Sequence, residues 1–489
     1  MNGKIKFLDN GFSQNIVHSK LKLFPFSYYA LVFFIIATVA CETQQKKPNL
    51  IFVFADQWRA QDIGYMGNKE VRTPSLDKLS EKSINFSNAV STCPVCSPYR
   101  ASLLTGQYVL THGIFYNDKP LREDITSIAR VYSNAGYSTA YIGKWHVDGH
   151  GRTAFIPTER RQGFEFWRVM ECTHDYNNSQ YYGDKDSLLT WDGYDAIAQT
   201  REAIKYIDKQ NKKRPFILFL SWGSPHDPYD TAPEKYRQMF SDPDKLTLRP
   251  NVPEEFQDIA RKNLSGYYAH IAALDDCIKE ILDAIDRNKI DDNTIFVFTS
   301  DHGDMLYSHG LKWKQMPWDE SIRVPFLLRY PDKLGEEKRI IDIPIGTPDI
   351  MPTLLGLSGI KIPESVEGND FSPYLFNRNA IQDSVALIMC PVPFHTWNYL
   401  KGGREYRGIR TPGFTYVEDL TGPWLFFDNK KDPFQMKNLV NRSESTEMQQ
   451  KLKVILARKL KERGDKFLKG QDYMDLWGYK WDGNDAPGK

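Results

Sequence analysis

Thr294-Ile295-Phe296-Val297-Phe298-Thr299-Ser300-Asp301-His302-Gly303 is a run of β-forming side chains without polar alternation that ends in ionisable residues. Such a run suits a strand buried on both faces, as in a parallel sheet covered by helices. The pattern recurs along the chain. Residues 49–55 (NLIFVFA) end at Asp56, 138–142 end before Gly143-Lys144-Trp145-His146, and 216–222 end before Ser224-Pro225-His226. A further apolar run covers 325–329. The stretches between are long enough for crossover helices. Within 259–287, Ile271, Leu274, Ile278, Ile281, Leu282 and Ile285 keep helical spacing. The expected fold is α/β, a large, mostly parallel mixed sheet sandwiched by helices.

Asp56, Lys144, His146, His226, Asp301 and His302 each follow just after a predicted strand. Open α/β sheets bind ligands beyond the carboxyl ends of their strands, so these residues are expected to converge on one site. Taken singly, each would read as an ordinary surface or capping residue.

From about residue 383 the character changes. Short runs at 385–389, 406–410, 414–418 and 424–428, separated by Gly, Pro and Asp, predict a small antiparallel sheet. Residues 445–467, rich in Lys, Leu and Glu, predict a closing helix. The expected division is a catalytic domain over 48–382 and a smaller C-terminal α+β subdomain over 383–489.

The 489 residues carry 63 basic and 62 acidic side chains, a formal charge of +1. So balanced a chain has no electrostatic footprint for nucleic acid, and any anion must be caught by a local site. At the N-terminus, Lys4, Lys6, Lys20 and Lys22 precede an apolar run over 28–40 that ends at Cys41. This describes a secretory signal, and the run is short for a membrane span, which needs about 20 apolar residues. Thr38-Val39-Ala40-Cys41 resembles a bacterial lipobox, with Thr38 in place of the usual Leu. The expectation is a signal over 1–41, a lipid on Cys41, a polar tether over 42–47 and export to a bacterial membrane, facing the periplasm or the exterior. An uncleaved signal anchor is the alternative. The other five cysteines, Cys93, Cys96, Cys172, Cys277 and Cys390, do not make a disulfide scaffold. Cys93-Pro94-Val95-Cys96 has no second such pair to complete a structural zinc site.

Cys96-Ser97-Pro98-Tyr99-Arg100-Ala101-Ser102-Leu103-Leu104-Thr105-Gly106 predicts a short helix with Pro98 near its start and Gly106 at its stop. Cys96 then sits at the helix N-terminus, where free amides favour an anion. Arg100, four residues on, can lie on the same face and offer its fork of donors to oxyanions. An ordinary capped helix is the bland alternative for this segment alone.

Residues 94–107 resemble the signature of the formylglycine-dependent sulfatases of the alkaline phosphatase superfamily. The resemblance continues in order through Phe54-Ala55-Asp56-Gln57, Gly143-Lys144-Trp145-His146, Ser224-Pro225-His226-Asp227-Pro228, Thr299-Ser300-Asp301-His302-Gly303-Asp304 and His309-Gly310-Leu311-Lys312-Trp313-Lys314. Residues 425–433 resemble the family's C-terminal subdomain, so the likeness spans roughly 48 to 440. It implies an alkaline phosphatase-like fold and oxidation of Cys96 to formylglycine by a maturation enzyme. It implies catalytic roles for Cys96, Arg100, Lys144, His146, His226 and Lys314, and a metal held by Asp56, Gln57, Asp301, His302 and residue 96. Gln57 stands where many members carry a second aspartate, which removes one negative charge. An oxygen-rich shell with one imidazole fits Ca²⁺ better than zinc, with Mg²⁺ the second choice.

In the chemistry so implied, one hydroxyl of the hydrated aldehyde attacks sulfur, and His226 and Lys314 assist the departing alcohol. His146 then takes a proton from the second hydroxyl. Asp304, His309 and His174 are candidate substrate contacts. Trp145, Trp313, Trp318 and Trp397 are either sugar platforms or core. The expected substrate is a sulfated carbohydrate, with algal polysaccharide such as ulvan favoured. The rival readings are a phosphonate or phosphodiester hydrolase of the same superfamily and a non-catalytic lipoprotein that binds sulfated glycans.

Overall fold

The computed structural model describes residues 46–210, 214–377 and 384–480, apart from the side chain of Thr396. The expected signal over 1–41 with Cys41, and tether residues 42–45, lie outside the described residues. The central strands are β1 (Asn49–Asp56), β2 (Ser138–Lys144), β3 (Phe166–Met170), β4 (Phe216–Pro225), β5 (Thr294–Ser300) and β6 (Phe326–Arg329). They lie in the order β6-β5-β1-β4-β2-β3 within a ten-stranded sheet. Short strands Ile84–Phe86 and Arg339–Ile341 extend it beyond β6, and Gln180–Tyr182 and Leu188–Thr190 extend it beyond β3.

Strands β1 to β5 pair in parallel. The run at 325–329 matches the others in composition, yet β6 pairs antiparallel to β5. Strand direction is set by the connection rather than by the side chains: the segment between β5 and β6 holds no helix longer than Asp319–Ile322, so no crossover helix carries the chain back along the sheet. Side chains of β1 alternate between two cores. Leu50, Phe52 and Phe54 face one, with Leu103 and Leu104. Ile51, Val53 and Ala55 face the other, with Leu264, Ile271 and Ile278. Burial on both faces explains why β1 shows no polar alternation.

The helices that cover the sheet are α1 (Cys96–Thr105), α2 (Asp195–Asp208), α3 (Gln257–Arg287) and α4 (Thr347–Leu357). In α3 the periodic set, including Leu274, Ile281 and Ile285, is buried on the sheet side, while Leu282 is half-buried. The C-terminal strands β7 (Ala386–Cys390), β8 (Tyr406–Arg410), β9 (Phe414–Asp419) and β10 (Gly422–Asp428) form an antiparallel sheet, followed by α5 (Thr446–Glu462). The described residues on both sides of the division at residue 383, drawn from sequence character, fall within one compact unit. Cys93 and Val95, beside the start of α1, pack in one core with Leu387, Met389 and Phe426.

Candidate active site

Helix α1 opens on Cys96 itself. Val95 precedes it in extended backbone, with no side-chain cap. The Ser97 N–H donates to Asn117 Oδ1 at 3.1 Å. At the other end Gly106 takes φ 66°, and its N–H donates to Ser102 O at 2.8 Å. The chain thus places Cys96 at the carboxyl edge of the sheet, beside Asp56 at the end of β1 and Asp301 just after β5.

The side chains around Cys96 Sγ come from four other segments. Lys314 Nζ lies 3.2 Å away, His302 Nε2 3.2 Å, Asp56 Oδ1 3.6 Å and Lys144 Nζ 3.9 Å. Lys144 pairs with Asp56 Oδ2 at 2.7 Å. Against burial and the Asp56 charge, Lys144, Lys314 and His302 hold the Cys96 thiol well below its usual pKa. The position therefore favours an anion.

Arg100 is buried and knits the acidic groups together. Its guanidinium donates to Asp56 Oδ2 and Asp301 Oδ2, both at 3.1 Å, to Ser221 Oγ at 2.6 Å and to Lys144 O at 2.8 Å. The fork expected to face a substrate oxyanion is turned inward, onto the carboxylates that flank Cys96. Against burial, Lys144 foremost among four basic neighbours holds Asp56 well below the usual carboxylate range. Burial and the Asp56 charge push Asp301 up to about 6.

Asp56, Cys96, Asp301 and His302 offer ligand atoms that all lie within 4.8 Å of one another. The His302 ring is set for ligation: its Nδ1 lies 3.0 Å from Gly303 O, which leaves the Nε2 lone pair facing the carboxylates. Gln57 adds an amide whose Oε1 accepts from Lys314 Nζ at 3.0 Å, while its Nε2 donates to Asp304 Oδ2 at 2.8 Å. Two buried carboxylates, an amide oxygen and one oriented imidazole fit a hard divalent cation.

A pocket of about 260 Å³ opens over Cys96, walled by Lys144, His146, His174, His226, Trp313 and Lys314 among others. His226 Nδ1 faces Asp227 O at 2.9 Å and its Nε2 faces Lys314 Nζ at 2.8 Å. Burial and the Lys314 charge hold His226 well below its usual pKa, so the ring is neutral. His174 stacks on it with centroids 4.5 Å apart. His146 Nε2 lies 3.1 Å from Asp118 Oδ1, and Arg152 clamps Asp118 through two bonds of 3.0 and 2.7 Å.

Other candidates sit elsewhere. Asp304 is buried, its oxygens taken up by Gln57, Tyr229 OH at 2.5 Å and the Leu306 N–H at 2.9 Å. His309 stacks on Trp318 and meets Asn251 at 3.1 Å, outside the walls of the Cys96 pocket. Trp145 and Trp397 are core side chains, not platforms, at 1% and 4% exposure. Asp118, Arg152, Ser221 and Asn117 carry no motif, and only the fold brings them in. Phe394 and His395 also reach the pocket, from the C-terminal part, with His395 stacked on Trp313 at 5.1 Å.

The sulfatase family model matches residues 48–360, which includes every one of these groups except Phe394, His395 and Trp397. The chain belongs to the sulfatase family. It is a sulfuric ester hydrolase with the alkaline phosphatase-like fold, from a metal-dependent family. A second family model, for the C-terminal part of N-sulphoglucosamine sulphohydrolase, matches residues 308–462. Among curated relatives, an ulvan-active sulfatase of Formosa agariphila is 42% identical over 96% of this sulfatase and 94% of its own length. An endo-4-O-sulfatase of Bacteroides thetaiotaomicron is 30% identical, covering 86% and 93%. A solved Bacteroides fragilis structure named for the sulfatase yidJ superposes with a TM-score of 0.79 at 31% identity, covering 88% and 98%.

Proposed function

We propose that this sulfatase removes sulfate esters from an ulvan-type polysaccharide or its oligosaccharides, using a formylglycine formed from Cys96. The observation that carries the chemistry is the placement of Cys96 at the start of α1 with Lys314, Lys144 and His302 around its side chain. The ulvan assignment is supported by the ulvan-active relative at 42% identity.

A cation held by Asp56, Gln57, Asp301 and His302, for which Ca²⁺ is the first choice and Mg²⁺ the second, would supply Lewis-acid polarisation of a sulfuryl oxygen. Lys144 and Lys314 balance negative charge at position 96 and on the sulfuryl group. One hydroxyl of the hydrated residue 96, its proton given up to solvent because Lys144 and Lys314 favour an anion there, attacks sulfur, and the bond from sulfur to the sugar oxygen breaks. Lys314, held in place by its contact with His226 Nε2, delivers a proton to that departing oxygen. His146 then takes the proton of the second hydroxyl. The carbon–oxygen bond to sulfate breaks, and the aldehyde is restored. Asp118 holds the His146 ring through Nε2.

Sulfate release from ulvan oligosaccharides, measured beside phosphodiester and phosphonate esters, tests the activity; faster phosphoester turnover would reject it. Mass spectrometry of the peptide around Cys96 from the native host tests the modification, and an unmodified thiol would reject it. Export with a lipid on Cys41 is part of the same reading, supported by Thr38-Val39-Ala40-Cys41 after an apolar run. Fatty-acid labelling that survives Cys41→Ser would reject the anchor.

A further inference from the structure

A second and larger cavity, about 510 Å³, adjoins the catalytic pocket and shares Asp227 and Trp313 with it as common wall. It lies between α3 and the segments 227–243 and 304–313. We infer that this cavity is a subsite for the neighbouring sugar units of an anionic oligosaccharide, so that the sulfatase holds its substrate on both sides of Trp313. The inference rests on the carbohydrate sulfatase reading and names where the rest of the chain is bound.

Size is the first argument. The smaller pocket over Cys96 has about 260 Å³, room for the sulfated unit undergoing attack and little beyond it. The continuation is about twice as large. Charge is the second argument. Lys262 and Lys312 are exposed on its wall, and neither ammonium makes an ion pair among the described residues. Lys312 instead lies over the Tyr307 ring, 5.0 Å from its centroid. Arg237, the third cation there, is paired to Glu234.

The acids on this wall do not cancel the two lysines. Asp304 is sunk in the floor with its oxygens occupied, and Asp227 is half-buried at the wall shared with the catalytic pocket, turned away towards the His226 ring at 3.1 Å rather than towards the lysines. Only Asp230 stands exposed, suited to accept from sugar hydroxyls. Two unpaired lysines over a wall of mixed polar and apolar groups match a sulfated or carboxylated sugar better than a neutral or cationic ligand.

The experiment uses sulfated tetrasaccharides prepared from ulvan and 4-nitrophenyl sulfate, which is too small to leave the Cys96 pocket. Lys262→Ala/Lys312→Ala is expected to lower the ratio of kcat/KM on tetrasaccharide to kcat/KM on aryl sulfate by about tenfold. Ser241→Trp, at an exposed wall position, should lower the same ratio by filling the cavity without removing charge. An unchanged ratio in both variants overturns the subsite. Calorimetric binding of the tetrasaccharide to Cys96→Ala protein separates this outcome from failure of the functional reading. Binding that weakens with the lysine changes upholds the subsite even if no sulfate ester is turned over. Binding indifferent to them rejects it whatever the activity.

Discussion

Lys314 Nζ lies 2.8 Å from His226 Nε2 and 3.2 Å from Cys96 Sγ, so one ammonium bridges the nucleophile position and a neutral imidazole. Its own pKa is raised: burial works against it, and Cys96 and Asp56 outweigh burial. The group stays charged, and burial together with that charge keeps His226 from taking a proton of its own.

Lys314→Ala should therefore lower kcat, by about 10²- to 10⁴-fold on a sugar sulfate. Loss on 4-nitrophenyl sulfate should be smaller, because a phenolate needs less help to leave. Comparing the two substrates checks this, and equal losses would remove the leaving-group role.

Asp118→Asn should free the His146 ring and lower kcat by about 10- to 100-fold, with KM little changed. Asp118 is only partly buried and its main partners are Arg152 and His146, so the melting temperature should hold. A large fall in melting temperature would mean that the residue serves the fold instead.

Burial pushes Glu171 up to about 7. One oxygen accepts from the Asp148 and Gly149 N–H groups, and the other is buried without a partner. A carboxyl raised on folding binds its proton more tightly in the native state. Its contribution is greatest below the unfolded pKa and is lost as pH rises through about 7. Glu171→Gln should flatten the decline in stability between about pH 5 and pH 8, by on the order of 2 to 3 kcal/mol at the alkaline end. Denaturant melts across that range provide the measurement.

Metal should stabilise as well as activate. Ca²⁺ at about 100 times its Kd should add about 2.7 kcal/mol to unfolding. Asp301→Asn should abolish that shift, and chelation should reverse it. Thermal melts with Ca²⁺, Mg²⁺ and chelator decide the identity of the ion.

Trp145 and Trp313 separate core from pocket. Trp145→Ala should cost about 3 to 5 kcal/mol of stability, since the ring is buried against Tyr141 and Trp167. Trp313→Ala should instead raise KM for oligosaccharide, because the ring stands in the wall common to both cavities.

Much of this was legible in one dimension. Uninterrupted β-forming runs such as 49–55 and 294–299 declare strands buried on both faces, because neither face alternates to polar side chains that water would solvate. The placement of Asp56, Lys144, His226 and Asp301 at the ends of such runs declares a shared edge, because parallel strands all finish on one side. Helix α1 follows from Pro98 and Gly106, whose backbone preferences act locally. Tertiary structure alone decided the rest. The antiparallel direction of β6 depends on its connection. Burial of Trp145 depends on which face of the sheet its loop folds over. Asp118 and Arg152 come to His146, and His395 to Trp313, through contacts between segments far apart in the chain. Arg100, legible as an anion-binding fork, turns its donors onto Asp56 and Asp301 only because β1 and β5 end beside α1. Local backbone chemistry can be read from neighbours in sequence; partners in space depend on how the whole chain packs.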